Sequence, residues 1–247
     1  MSSPLLSVRD IRKRFDALAV LNGMSIELDA GAVKCIIGPN GCGKSTFFNI
    51  LTGVLKADAG RIEFAGERVE RFAPARIAGR GMLRKFQVPG VFPGLSVLEN
   101  LEVAQLGRAG GGVGSCLSGA PRFDYRGALR DAGLEAHGGT AADQLPHGLK
   151  QRLELLMLVS RGPRLLLLDE PTAGMTTQET AEVAKLIRRL SSEHGVAVLV
   201  IEHDMHFVRA LACPVVVMLK GVVQREGQYE EVRQDAQVRA AYLGEAA

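Results

Sequence analysis

The segment "VKCIIGPNGCGKSTFFNILTGVL", Val33 to Leu55, decides the fold. It begins with a short buried-strand pattern, passes through Gly38, Pro39, Asn40, Gly41, Cys42, Gly43, Lys44, Ser45 and Thr46, and continues into a helical apolar pattern. Gly38 to Thr46 fits GxxxxGK[ST] in the strand–loop–helix setting that gives this motif its meaning. Glycines let backbone N–H groups converge on phosphate oxygens, and the following helix presents its positive end. Lys44 is then placed to reach β- and γ-phosphates, and the Ser45 hydroxyl to ligate magnesium. A glycine-rich turn with an incidental lysine explains none of this spacing.

A phosphate loop alone serves several kinds of enzyme, so the next signals narrow the reading. "LLLLDEP", Leu165 to Pro171, puts Asp169 and Glu170 at the end of a buried strand. Asp169 is suited to a magnesium shell, and Glu170 to orienting or deprotonating an attacking water. The pair implies hydrolysis, against the plainer reading of an acidic helix cap. Downstream, "VLVIEHD" ends another strand with His203, suited to donate toward a γ-phosphate. His203 and His206 lack the further His or Cys ligands that a zinc site requires.

Around these motifs, strand and helix patterns alternate, which favours a mainly parallel sheet. "SIELDAG", "AVKCIIG" and the edge hairpin "RIEFAGERV" are expected to group together. From "SVLENLEVAQL" to "LELLMLV" the spacing is helical, broken by "GRAGGGVGS", whose glycines are costly to order in helix or strand. The β–α alternation then returns through "RLLLLDE", "TQETAEVAKLIRRLSSEH", "VAVLVIEHD", "MHFVRALA" and "PVVVMLKGVVQREG". A helical insert therefore divides one α/β core.

Composition excludes other classes. The 247 residues, 47% of them hydrophobic, suffice for a packed core, yet no apolar run approaches the roughly 18 residues of a membrane span. The N-terminus shows no secretory pattern, so a cytoplasmic chain is expected. Cys35, Cys42, Cys116 and Cys213 are scattered without metal-site spacing, as expected of reduced structural thiols. A net charge of +3, with basic and acidic residues interleaved, gives no basic block and no sign of nucleic acid as a partner.

With these motifs in order, plus "RKFQ" (Arg84 to Gln87) and "LPHGLKQ" (Leu145 to Gln151), the chain resembles an ATP-binding cassette (ABC) transporter subunit over nearly its whole length. The resemblance implies an α/β P-loop NTPase fold: a RecA-like core with an antiparallel β subdomain and an inserted helical subdomain. It divides the chain into core segments 1–87 and 160–247 around helical residues 88–159. ATP and Mg2+ are the implied cofactors, with Ser45, Gln87 and Asp169 on the metal side and Glu170, His203 and Gln87 in catalysis. Gln87 is also the implied point of coupling to membrane subunits. Phe15, in "IRKRFDALAVL", matches an aromatic that stacks on adenine, against the plainer reading of a core phenylalanine. "AGMT", Ala173 to Thr176, resembles the loop that touches the opposite subunit, with Thr176 where many cassettes carry aspartate.

The family's LSGGQ signature, which binds the γ-phosphate held by a partner's phosphate loop, corresponds here to Leu145, Pro146, His147, Gly148 and Leu149. Proline is tolerated at a helix start, where its missing N–H has no intrahelical partner. Losing the serine hydroxyl removes a hydrogen bond to a charged group, about 1.5–3 kcal/mol, or roughly ten- to a hundredfold in γ-phosphate grip. Gly148 and the helix N-terminus remain. A second "LSG", Leu117 to Gly119, leads into "APRFDY" and not into an amphipathic helix. The implied assembly pairs this chain with a second, different cassette, a homodimer being the alternative. Two permeases complete it on the cytoplasmic face of the inner membrane, served indirectly by a periplasmic binding protein.

"RIAGRGMLRKFQVPGVFPGLSVLENLEVA", "HGLKQRLEL", "DEPTAGMTTQET" and "EHDMHFVRAL" resemble urea-importer cassettes within the branched-chain amino acid importer group. The expected cargo is therefore urea or a short amide. The alternatives are branched-chain amino acids, or a regulatory cassette that binds ATP without hydrolysing it. A soluble ABC ATPase of DNA repair or translation would carry two cassettes or a long coiled-coil insertion, and neither is in the sequence.

Overall fold

The computed structural model describes residues 3–85, 90–106, 124–235 and 238. Two sheets form its frame. The larger has six strands: β3 (Val33–Ile37), β6 (Met82–Lys85), β7 (Leu165–Asp169), β8 (Ala197–Ile201), β9 (Val215–Leu219) and β10 (Val222–Gly227). Their order is β10-β9-β3-β8-β7-β6, all neighbours parallel except the terminal β9–β10 hairpin. The smaller sheet is antiparallel, ordered β2-β1-β4-β5, from β1 (Leu6–Phe15), β2 (Leu18–Leu28), β4 (Ala59–Phe64) and β5 (Glu67–Arg68).

Unbroken apolar strands such as "LLLLD" are the mark of a parallel sheet covered on both faces. Period-two alternation splits them cleanly. Ile36, Leu165, Leu167, Leu199 and Val216 face a core shared with the small sheet and with Phe47 and Phe48 of α1 (Lys44–Leu51). Cys35, Leu166, Leu168, Val198 and Val217 face the opposite core. There they meet α3 (Val97–Leu106), α5 (His147–Val159), α6 (Thr177–His194) and α7 (Met205–Leu211). Short helices α2 (Pro74–Gly79), α4 (Tyr125–Asp131) and α8 (Tyr229–Gln234) complete the set.

The expected grouping of three early segments is corrected here. "SIELDAG" and "RIEFAGERV" enter the small sheet, but "AVKCIIG" supplies β3 of the large one. The reason is visible in the pattern: β2 alternates exposed and buried residues, whereas Cys35, Ile36 and Ile37 are buried in succession and need cover on both faces.

Helices α3, α4 and α5 all lie between β6 and β7 in the chain, and the glycine-rich Gly107 to Ser115 falls outside the described residues. Helix α6 has the bounds read from sequence because both ends are specified. Thr176 and Glu179 form a reciprocal capping box, and Gly195 closes the helix in the left-handed conformation at φ 64°.

Candidate active site

In parallel α/β sheets, sites form beyond the carboxyl ends of the strands. The order β3-β8-β7-β6 brings four such ends side by side. The phosphate loop leaves β3, His203 follows β8, Asp169 and Glu170 end β7, and Gln87 stands two positions after β6. Three described segments, spread over more than 160 residues of chain, thus share one edge of the sheet. Gln87 itself lies outside the described residues.

Gly43, at φ 105°, turns the loop into α1, and a Cβ there would stand 2.9 Å from the Val20 carbonyl and from Leu21. Glycine is required on both counts. Lys44 is buried, and its Nζ donates to the carbonyls of Gly38 (2.7 Å) and Pro39 (2.9 Å), which hold it inside the loop. Ser45 is exposed in the first turn of α1. Burial raises the Cys42 thiol above its ordinary range, with Lys44 pulling the other way.

Asp169 is buried, and its Oδ2 pairs with Arg84 Nη2 at 2.8 Å. Glu170 adopts φ 47°, unusual for a side-chain-bearing residue, and is held there by its N–H donating to Ile201 O (2.9 Å). This turn sends its carboxylate toward His203, with Nδ1 3.5 Å from Oε1. Glu202, fully buried, organises both sides. Its Oε1 accepts from Thr172 N and Oγ1, and its Oε2 from the N–H groups of His203 and Asp204.

The segment Leu145 to Leu149 starts α5. Pro146 is the N-cap at φ −54° and ψ 154°, without a side-chain cap. His147 Nε2 lies 3.1 Å from Ala173 O. Gly148 receives the Glu179 side chain so closely that a Cβ would stand 2.2 Å from Oε1. The Glu179 carboxyl lies below its ordinary range, first through hydrogen bonds from Thr176 and, more weakly, through Arg152 and the Gly148 N–H. Among the described residues, the segment's bonds run to the loop after Glu170 and to α6, not to this chain's phosphate loop. The second "LSG" at Leu117 lies outside the described residues.

Phe15 ends β1, 43% exposed, with Lys13 Nζ 5.5 Å from its ring centroid. It pairs with Leu18 at the start of β2, the strand whose Val20 and Leu21 abut Gly43, so it stands on the approach to the phosphate loop as an available aromatic face. A groove of about 950 Å³ lies at the opposite, amino ends of β3 and β9 and holds none of these residues.

Sequence reading missed Arg84, Glu202, Glu179 and Glu154. Glu202 had a signal: a carboxylate closing a run of buried strand residues. Glu154 had none, since its partners Lys85 Nζ (3.1 Å) and Gly90 N are more than 60 residues away.

Residues 21–173 match the ABC transporter family model, and residues 226–247 match that of the branched-chain amino acid ATP-binding cassette transporter. The chain is 36% identical over 255 residues to the high-affinity branched-chain amino acid transport ATP-binding protein BraF of Pseudomonas aeruginosa, with 100% of both covered. It is 38% identical to LivG of Salmonella typhimurium, again over 100% of both. Among solved structures it is similar to an ATP-binding cassette of an ABC transporter in its ADP conformation, at TM-score 0.83 and 29% identity, covering 99% of this chain and 100% of that one.

Proposed function

This chain belongs to the ABC transporter family, and from that premise we propose that it is the ATP-hydrolysing subunit of an importer for branched-chain amino acids. The observation that carries the cargo class is identity of 36–38% along the entire chain to cassettes named for that transport. A second reading, urea or a short amide, is favoured by "KQ" after His147–Gly148 and by "GMTTQET", Gly174 to Thr180. The relatives support the first better.

Cassettes of this family are ATPases coupled to transport, and the strand-end site suits ATP. In our reading, residues 1–87 and 160–247 bind nucleotide and 88–159 form the helical subdomain. Phe15 stacks on adenine. Gly38 to Thr46 cradle the phosphates, with Lys44 turning from its loop carbonyls to the β- and γ-oxygens. The Ser45 hydroxyl and Asp169 carboxylate are hard oxygen donors of the kind Mg2+ takes. Held there together with ATP, the ion would supply neutralisation of the phosphate charge. Glu170 orients or deprotonates the attacking water, His203 donates toward the γ-phosphate, and Gln87 couples the site to the permeases.

Among the described residues no helix is long and apolar enough to cross a membrane, and in our reading separate permeases carry the cargo. We place the chain on the cytoplasmic face, paired with a second cassette. Pro146, Gly148 and the amide end of α5 face that partner's nucleotide without the usual serine hydroxyl.

The test is reconstitution with the permeases and binding protein of such an importer. ATP hydrolysis stimulated by leucine, isoleucine or valine is expected; stimulation by urea alone would transfer the assignment to the second reading.

A further inference from the structure

Arg84 and Asp169 lie on one face of neighbouring parallel strands. Arg84 is in register with Leu167, and Asp169 follows two residues later, so period two points both toward α1. Their side chains are 9% and 2% exposed. The planar guanidinium has donors in a fixed fork. One, Nη2, reaches Asp169 Oδ2 at 2.8 Å; another, Nη1, reaches Asn49 Oδ1 at 2.6 Å. Its carbon also lies 5.5 Å from the Phe48 ring centroid.

Asn49 stands one helical turn after Ser45 on α1. The chain Ser45–α1–Asn49–Arg84–Asp169 therefore joins the two oxygen donors assigned to the cation. A buried ion pair adds little net stability compared with apolar residues of similar volume, so fold stability alone gives no reason for a guanidinium here. What the pair does provide is a fixed carboxylate orientation.

We propose that Arg84 is a positioning residue for the divalent cation that accompanies ATP: by holding Asp169 Oδ2 and Asn49 together, it presents Asp169 Oδ1 to the ion at a set distance from Ser45. This rests on the ATPase reading above. Groups that orient a metal's ligands typically change affinity about 10- to 100-fold when removed.

The test uses Mn2+ as a paramagnetic substitute for the cation. ATP affinity is measured in EDTA, Mn2+ affinity by electron paramagnetic resonance on the ATP-loaded chain, and folding by thermal melting. For Arg84→Met, ATP affinity in EDTA is expected to stay within about twofold while the Mn2+ Kd rises about tenfold or more. Arg84→Lys keeps the charge but not the planar fork and is expected to recover part of the loss. Asn49→Ala, at a half-buried helix position, removes one arm of the fork and decides the matter if Arg84→Met does not fold: a weaker Mn2+ site supports the proposal. Unchanged Mn2+ affinity in a folded Arg84→Met or in Asn49→Ala overturns it, as does an equal fall in ATP affinity without metal, which would make Arg84 a general prop of the nucleotide site. Failure of the parent chain to bind ATP in either buffer is a separate result that removes the ATPase reading underneath.

Discussion

The Thr172 hydroxyl donates to Glu202 Oε1 at 2.6 Å, and both residues are buried. Through this bond the loop behind Glu170 is tied to the end of β8, where the other oxygen of the same carboxylate receives His203 N and Asp204 N. Glu202 thus fixes the relative placement of the two residues assigned to water and γ-phosphate, through the His203 N–H on one side and Thr172 on the other.

Glu202→Gln is isosteric but presents an NH2 group where an N–H donor already points. It should destabilise the fold by about 1.5–3 kcal/mol, the scale of hydrogen bonds to a charged group. Urea denaturation checks the loss, and a fall in ATP hydrolysis larger than any fall in ATP binding would accompany it.

Lys85 and Glu154 form an ion pair in which both side chains are 5% exposed, and Glu154 also receives the Gly90 N–H. Lys85→Met alone strands a buried carboxylate and should cost about 3–5 kcal/mol. The double change Lys85→Met with Glu154→Leu should recover most of that, as measured by equilibrium unfolding.

At Gly148 the demand is for space. Gly148→Ala would push away the Glu179 carboxylate and break its capping box with Thr176, for about 1 kcal/mol. In a double-mutant cycle with Glu179→Ala the two losses should be less than additive.

Much of this architecture is local and therefore legible in the sequence. The apolar runs of β7, β8 and β9, the caps of α6 and the phosphate-loop glycines each carry their signal within a few residues. The assignment of β3 to a sheet does not, because partner choice depends on which cores exist on its two faces. Arg84 and Glu154 escaped for a related reason. A charged residue in a strand or on a helix looks like a solvated one until the fold supplies its counter-charge. Arg84 meets Asp169 across 85 positions, and Lys85 meets Glu154 across 69.

The buried thiols give the pH dependence. Burial pushes Cys213 up to about 12 from an ordinary 9.0, and Cys35 well above 9.0. Ionisation is disfavoured in the folded state, so the associated stability is complete below pH 9.0 and is lost as pH rises from there toward about 12. Thermal melts in that interval should fall with pH, and alkylation at pH 8 should leave both thiols unmodified in the folded chain.

In the proposed mechanism this chain hydrolyses ATP with its own Glu170, in a site completed by another cassette's signature. The most direct measurement is light scattering of Glu170→Gln with Mg2+ and ATP, alone and with the second cassette. A chain that stays monomeric alone and forms a heterodimer when the second cassette is added is the predicted result. A tight ATP-dependent homodimer of Glu170→Gln would contradict it, showing that the Pro146 segment grips a γ-phosphate without the serine.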